Sequence, residues 1–322
     1  MIPDRPVVIS CGEPSGIGPE VAARAWAMLA GEIPMVWLGD PRHLPHDIPH
    51  QVIDTPAQAL GVNSEALPVL AHTFAKDVRP GIPEPANAQN VIDVIARGVD
   101  LVRSGEACAL TTAPIHKKAL KDGADFAYPG HTEYLAALAG VADVVMMLAS
   151  DQLRVVPATI HIALDQVPLL LAPSRLRRVI EITAAGMQNQ FGISQPRIAV
   201  AGLNPHAGEG GTMGREEQTW MVGLVREMQA EGYSLRGPLP ADTMFHAAAR
   251  TSYDVAVAMY HDQALIPIKT LDFDRGVNVT LGLPFVRTSP DHGTAFDIAG
   301  KGIANPTSMI EAIRLAYKMA QK

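Results

Sequence analysis

The sequence has little cysteine. Cys11 and Cys108 are its only thiols, so a disulfide-held scaffold is excluded, and two reduced thiols in a cytoplasmic protein are the simpler reading. No apolar run approaches the roughly 18 residues that a membrane helix needs. Met1–Ser10 carries no basic segment followed by a long apolar one, so no secretory signal is expected. Positive charge is not in excess: 26 Lys and Arg stand against 33 Asp and Glu, a net charge of −7. That balance argues against a nucleic-acid partner, which needs a basic face to displace counterions. There is no internal repeat, no low-complexity tract and no Gly/Ser-rich linker.

What is present is an apolar chain, 48% hydrophobic and 18% charged, long enough for about two domains and a sizeable core. Short Val-, Ile- and Ala-rich runs read as strands at Val7–Gly12, Met35–Gly39, Ala107–Thr111, Val144–Leu148, Val155–Leu164, Ile198–Leu203, Val255–Tyr260 and Val277–Leu281. Helical periodicity marks Ile17–Leu29, Asn87–Arg103, Leu176–Gln190, Glu216–Gln229 and Ser308–Gln321. This alternation predicts an α/β fold with a largely parallel sheet, whose ligands bind beyond the carboxyl ends of strands.

Three apolar runs lead into a histidine: His161, His206 after Asn204-Pro205, and His261. Three imidazoles at strand ends would suit a borderline divalent metal and leave a position open for substrate, although one such histidine alone is more often structural. The cluster His43, His46 and His50 is interrupted by Pro45 and Pro49 and reads as a polar surface loop. Gly12-Glu13-Pro14-Ser15-Gly16-Ile17-Gly18-Pro19-Glu20 is not G-x-G-x-x-G, so a Rossmann dinucleotide fold is not supported. In Pro129-Gly130-His131-Thr132-Glu133, Thr132 is expected to cap a helix whose start is also a seat for phosphate. Lys269, Asn278 and Arg287 are candidates for holding an anionic substrate.

Two loops resemble the isocitrate and isopropylmalate dehydrogenase superfamily. They are Gly16-Ile17-Gly18-Pro19-Glu20 and His292-Gly293-Thr294-Ala295 through Asp297-Ile298-Ala299-Gly300-Lys301 to Ile303-Ala304-Asn305-Pro306, similar to that group's adenosine loop. Thr112-Ala113-Pro114-Ile115-His116-Lys117, Pro129–Glu133, Asn204–Gly211, Gly237–Thr243 and Tyr260-His261-Asp262-Gln263 resemble the 4-hydroxythreonine-4-phosphate dehydrogenase family of vitamin B6 synthesis.

The resemblance implies a two-domain, non-Rossmann fold with the active site in the interdomain cleft, residues 1–126 plus 270–322 forming one domain and 127–269 the other. It implies a metal (Zn, Co or Mg) on His161, His206 and His261, shared across a homodimer interface. It implies substrate contacts from His131, Thr132, Lys269, Asn278 and Arg287. His292 and Asn305 would meet adenine, and Asp297 the ribose, favouring NAD over NADP. Asp242 and Asp262 are the candidate bases. The implied reaction is oxidation of 4-phosphooxy-L-threonine at C3 to 2-amino-3-oxo-4-phosphooxybutanoate, which decarboxylates to 3-amino-2-oxopropyl phosphate. A sister dehydrogenase acting on threonate or erythronate 4-phosphate, or on a cyclic dihydrodiol, is the alternative. Histidines in place of the aspartates that hold the metal in isocitrate-oxidising relatives depart from an isocitrate-type site.

Overall fold

The computed structural model describes residues 5–62 and 64–322. The chain forms two compact units, one of residues up to Val144 with Leu283–Lys322, the other of Val145–Gly282. With strands numbered along the chain, the first unit holds β1 (Val7–Ser10), β2 (Met35–Gly39), β3 (His50–Ile53), β4 (Leu67–Ala71), β5 (Ala109–Thr112) and β12 (Arg287–Pro290). They lie side by side in the order β3-β4-β2-β1-β5-β12, and every pairing is parallel. Strands buried on both faces need continuous apolar runs, and β1 and β2 are buried at every position.

The second unit holds β6 (Val145–Ala149), β7 (Arg154–Pro157), β8 (Ile198–Ala201), β9 (Leu235–Leu239), β10 (Val255–Ala258) and β11 (Val277–Leu281). Their order is β11-β6-β7-β10-β8-β9. β7, β10, β8 and β9 run parallel, while β6 is antiparallel to both β7 and β11. Val155, Ala256, Ala258, Leu265 and Ile268 pack in the core of this unit.

The first unit is discontinuous in sequence, with breaks after residues 144 and 282, where the sequence expectation put them after 126 and 269. The helix His131–Ala139 packs on the helix Ala88–Arg103, which keeps it in the first unit. The pairing of β11 with β6 keeps the segment before residue 283 in the second.

Helices cover these sheets as the periodicity implied. Gly18–Leu29 carries Pro19 in its first turn, where a missing N–H costs no hydrogen bond. Ala88–Arg103 buries Val91, Val94, Ile95 and Val99. Its Gly98 lets the backbone lie close to β5, since a Cβ there would sit 2.9 Å from Leu110 Cδ1. Two expected elements differ. The run Val155–Leu164 leaves the sheet after Pro157, and Glu216–Gln229 opens with a π-helical turn, Glu217–Met221, before the α-helix Val222–Ala230.

Leu38, in the middle of β2, has no exposure. Leu38→Ala should cost about 2–5 kcal/mol. In urea it should lower the unfolding midpoint without changing the slope.

Candidate active site

In the second unit, the segments that follow β7, β8 and β10 carry the three histidines, His161 and His206 in loops and His261 at the start of the helix His261–Leu271. Thr159 Oγ1 donates to the Met259 carbonyl at 2.7 Å, tying the His161 loop to the end of β10. Gln263 accepts from the Met259 amide at 2.7 Å and donates to the Gly202 carbonyl at 2.8 Å, tying β10 to β8. The rings of His161 and His261 come together, with centroids 5.7 Å apart. His206 lies in a left-handed run from residue 206 to residue 210, where φ is 50°, 52°, 82°, 41° and 65°. His161 is also left-handed, at φ 53°. Left-handed backbone costs a non-glycine residue about 1–2 kcal/mol and persists only where the surroundings enforce it.

For His206 the enforcement is visible. Glu217, 2% exposed, accepts from the Asn204 amide at 2.8 Å and from Asn204 Nδ2 at 2.9 Å, while Glu216 accepts from the same Nδ2 at 2.7 Å. A Cβ on Gly208 would lie 2.8 Å from Glu217 Oε2, so the turn can lie on this carboxylate only with glycine there.

The donor chemistry suits a divalent metal in part. His261 Nδ1 is 2.7 Å from Asp262 Oδ1 and His206 Nδ1 is 3.2 Å from Glu209 Oε2. A carboxylate on Nδ1 leaves Nε2 as the ligating atom and raises its basicity. Within one chain, among the described residues, no three His, Cys, Asp or Glu side chains are gathered closely enough to enclose an ion. The turn holding His206 directs that ring to Glu209 instead. Asp262 is exposed and engaged by His261. Asp242 is exposed in the turn Ala241–Met244, which packs against the His206 loop. Lys269 lies in the helix His261–Leu271, its Nζ 5.6 Å from the Phe273 ring centroid. Asn278 on β11 keeps a buried Oδ1 without a hydrogen-bond partner among the described residues.

A second group assembles within the first unit. Arg287 opens β12 and is 2% exposed; its Nη2 donates to Thr112 Oγ1, at the end of β5, at 2.5 Å. Burial pushes the guanidinium down to about 10. His131 begins the helix His131–Ala139, with Gly130 as the N-cap and no side chain capping the first turn. The cap expected from Thr132 is therefore not made: Thr132 sits one position inside the helix, where its hydroxyl is not placed as an N-cap. His131 Nε2 is buried and has no partner among the described residues. Burial first, and then the charges of Arg287 and Lys117, hold His131 well below the usual imidazole range.

Also in this unit, the two resemblance loops pack on each other. The Ile17 amide donates to the Thr294 carbonyl at 3.0 Å, the Ala304 amide to Glu20 Oε1 at 3.1 Å, and Arg24 to the Gly302 carbonyl. His292 and Asn305 stand near the two ends of the second loop. His292 Nδ1 bonds the Gly293 carbonyl at 2.9 Å, and Asn305 Oδ1 accepts from the Thr307 amide at 3.0 Å and its hydroxyl at 2.7 Å, capping the last helix. Asp297 is exposed between them. A cleft of about 560 Å³ runs beside these loops, lined by Gly16, Glu20, His43, His46, Gly300 and Gly302 among others. His43 is not the surface residue expected; it is 9% exposed, its ring edge-on to Phe74 at 4.9 Å.

Residues 31–316 match the model of the pyridoxal phosphate biosynthetic protein PdxA. This chain belongs to the PdxA family. A 4-hydroxythreonine-4-phosphate dehydrogenase of Ruegeria sp. (strain TM1040) is 67% identical over 98% of this chain and 97% of its own length. The crystal structure of 4-hydroxythreonine-4-phosphate dehydrogenase from Klebsiella pneumoniae matches with a TM-score of 0.89 and 38% identity, covering 98% of this chain and 100% of that one. A terephthalate 1,2-cis-dihydrodiol dehydrogenase from Burkholderia xenovorans LB400 matches with a TM-score of 0.69 and 28% identity, over 98% of both chains. As a PdxA-family member the chain is a dehydrogenase, an oxidoreductase acting on a CH–OH group. It takes its place in the synthesis of pyridoxal phosphate.

Sequence reasoning gave no role to Thr112 and Lys117 in the first unit, or to Thr159, Glu216, Glu217 and Gln263 in the second, because the contacts they make join segments far apart in the chain.

The lowered His131 has a consequence for stability. The unfolded chain takes up a proton below about pH 6.5 that the folded chain refuses, so stability falls as pH falls. Between pH 7.5 and 5.5 the thermal midpoint of the wild type should drop further than that of His131→Asn. Parallel curves would contradict the assignment.

Proposed function

We propose that the chain oxidises 4-phosphooxy-L-threonine at C3 with a divalent metal and NAD(P), to a 3-oxo acid that loses CO₂ to give 3-amino-2-oxopropyl phosphate. One observation supports the reading: His131, chosen from sequence as an anion contact, opens a helix whose first turn has no side-chain cap, in a chain 67% identical to a protein bearing that enzyme's name. When bound, the metal supplies Lewis acidity toward the secondary hydroxyl and the nicotinamide accepts the hydride.

His161, His206 and His261 are the metal ligands in this reading, with Asp262 and Glu209 fixing two of the rings. Asp242 takes the hydroxyl proton, since Asp262 is already committed to His261. Arg287, His131 and Thr132 hold one anionic end of the substrate, and Lys269 and Asn278 hold the other polar groups. His292 and Asn305 contact the adenine, and Asp297 the ribose. A carboxylate there disfavours a 2′-phosphate, which supports NAD over NADP. The likeness to the dihydrodiol dehydrogenase favours a second reading, a cyclic dihydrodiol as substrate.

The test is nicotinamide reduction with 4-phosphooxy-L-threonine, before and after chelation, beside a cyclic dihydrodiol and threonate 4-phosphate. Reduction lost on chelation and restored by zinc, cobalt or magnesium is expected, and His206→Ala should abolish it with the fold retained. Turnover of the dihydrodiol alone would select the second reading.

The metal site is proposed to be completed in a homodimer. Ile162, Leu164, Leu169 and Leu170 follow His161 and are 38%, 68%, 74% and 44% exposed. Such a concentration of apolar surface beside a site suits an interface. Sedimentation should show a dimer for the wild type and a weakened one for Leu164→Asp/Leu169→Asp. A wild-type monomer would overturn the assignment.

A further inference from the structure

We propose that Gln263 is a positioning residue of the metal site: its side-chain amide joins the segment that presents His261 to the segment that presents His206, and so sets the affinity for the ion. The proposal deepens the reading above and rests on it for the identity of the three ligands.

The sheet stops short of the histidines. β8 ends at Ala201 and β10 at Ala258, and the register between them runs no further than Val257 beside Val200. Beyond that point the two segments share no backbone ladder, although each carries an imidazole meant for the same ion. Gln263 takes the place of the ladder. Its Oε1 accepts from the Met259 amide at 2.7 Å and its Nε2 donates to the Gly202 carbonyl at 2.8 Å. Met259 stands two residues before His261, and Gly202 four before His206. Gln263 itself lies in the first turn of the helix that His261 opens.

The amide fits only one way round. A backbone N–H only donates and a carbonyl only accepts, so Met259 requires the side-chain oxygen and Gly202 the nitrogen. Glutamate would offer two acceptors and lysine only donors.

Both anchor points are held on their far sides. The Met259 carbonyl accepts from Thr159 Oγ1 at 2.7 Å, two residues before His161, and Met259 has no exposure. The Gly202 amide donates to the Leu239 carbonyl at 2.7 Å. Gly202 also packs against the His206 loop, where its Cβ, if it had one, would be 2.9 Å from Ala207 Cα and 3.1 Å from Glu217 Oε1. A displacement of Gly202 is therefore passed to the neighbour of His206. A displacement of Met259 is passed to the segments of both His161 and His261. The three ligand segments are referred to two residues, and Gln263 is the link between those two.

A side chain that only satisfied two strand ends would affect stability and leave ion binding unchanged in the folded protein. A positioning residue changes the affinity while the fold persists, by on the order of ten- to a hundredfold for groups that orient metal ligands.

The experiment titrates metal-free protein with cobalt and follows its visible absorption bands, which report affinity and ligand geometry without turnover. Gln263→Met removes both bonds at nearly the same length. Gln263→Glu keeps the acceptor for Met259 and removes the donor for Gly202. Both should weaken cobalt binding by on the order of ten- to a hundredfold and alter the bands, with circular dichroism like that of the wild type. Gln229→Met is the control. Gln229 Nε2 donates to the Leu235 carbonyl at 2.9 Å, at the start of β9 and away from Leu239 at its end, so this variant loses a bond of the same kind in the same unit and should bind cobalt as the wild type does. Wild-type affinity and bands in Gln263→Glu would overturn the proposal, and this variant decides should Gln263→Met not fold. An equal loss in Gln229→Met would overturn it too, by showing a general loosening of the unit. A wild type that takes up no cobalt would refute the metal reading itself, before any substitution is compared, and the role of Gln263 with it.

Discussion

A guanidinium buried on a strand is the constraint around which the first unit is arranged. Arg287 is 2% exposed at the start of β12, and a buried cation is tolerated only where polar groups replace water. Thr112 supplies one such group from β5. The adjoining pair, Thr111 and Thr288, is satisfied separately, through a hydroxyl contact of 2.9 Å and the Ala312 carbonyl at 2.9 Å. Burial first, and after it the charges of Arg287 and Lys117, hold His131 toward its neutral form. A neutral imidazole next to a buried guanidinium, at a helix start with no cap, leaves the corner positive and open, which is a poor arrangement for stability and a good one for an anion.

The second unit meets a different constraint, which is backbone strain at His161 and His206. Both stand at positive φ, and the chain holds them there with side chains that have no chemistry of their own to do. Thr159 and Gln263 lock the loops to strand ends. Glu217, in the π-helical turn, fixes Asn204 just before the left-handed run. A wider helical turn often marks a functional position, and here it is the turn that presents Glu217 to Asn204. Rigid loops cost stability but reduce the freedom a ligating imidazole would have to lose.

The parts of this structure legible in the sequence are those whose signal is continuous and local. β1, β2, β8, β10 and β11 are aliphatic runs, and all five stand within the segments expected. The long amphipathic helices were equally clear. β12 was not, because Arg-Thr-Ser-Pro has no aliphatic residue; its burial comes from its place beside β5 and from threonine and arginine pairing across 175 or more residues. β9, Leu-Arg-Gly-Pro-Leu, is an edge strand, where glycine and proline are tolerated and the apolar signal is weak. β3 was hidden in a proline-rich stretch. At the sites, the histidines and Arg287 were visible as residues, whereas His43 was misjudged because proline spacing says nothing about Phe74 packing over its ring. Lys117 stood in a segment that was recognised but carried no role, since its meeting with Gly130 is a tertiary event.

The missing glycine fingerprint finds its physical account in the first unit. A Rossmann loop brings three glycines together locally so that backbone can approach a pyrophosphate. Here the same closeness is divided between two loops far apart in sequence. Gly16 packs so tightly on Thr294 that a Cβ would lie 2.8 Å from its carbonyl oxygen, and Glu20, buried on the first helix, accepts from the amide of Ala304. Neither loop would keep its shape without the other. A pair of loops built this way depends on a long-range contact, so no single short motif can report it; the two have to be recognised together, and it was as a pair that they carried information.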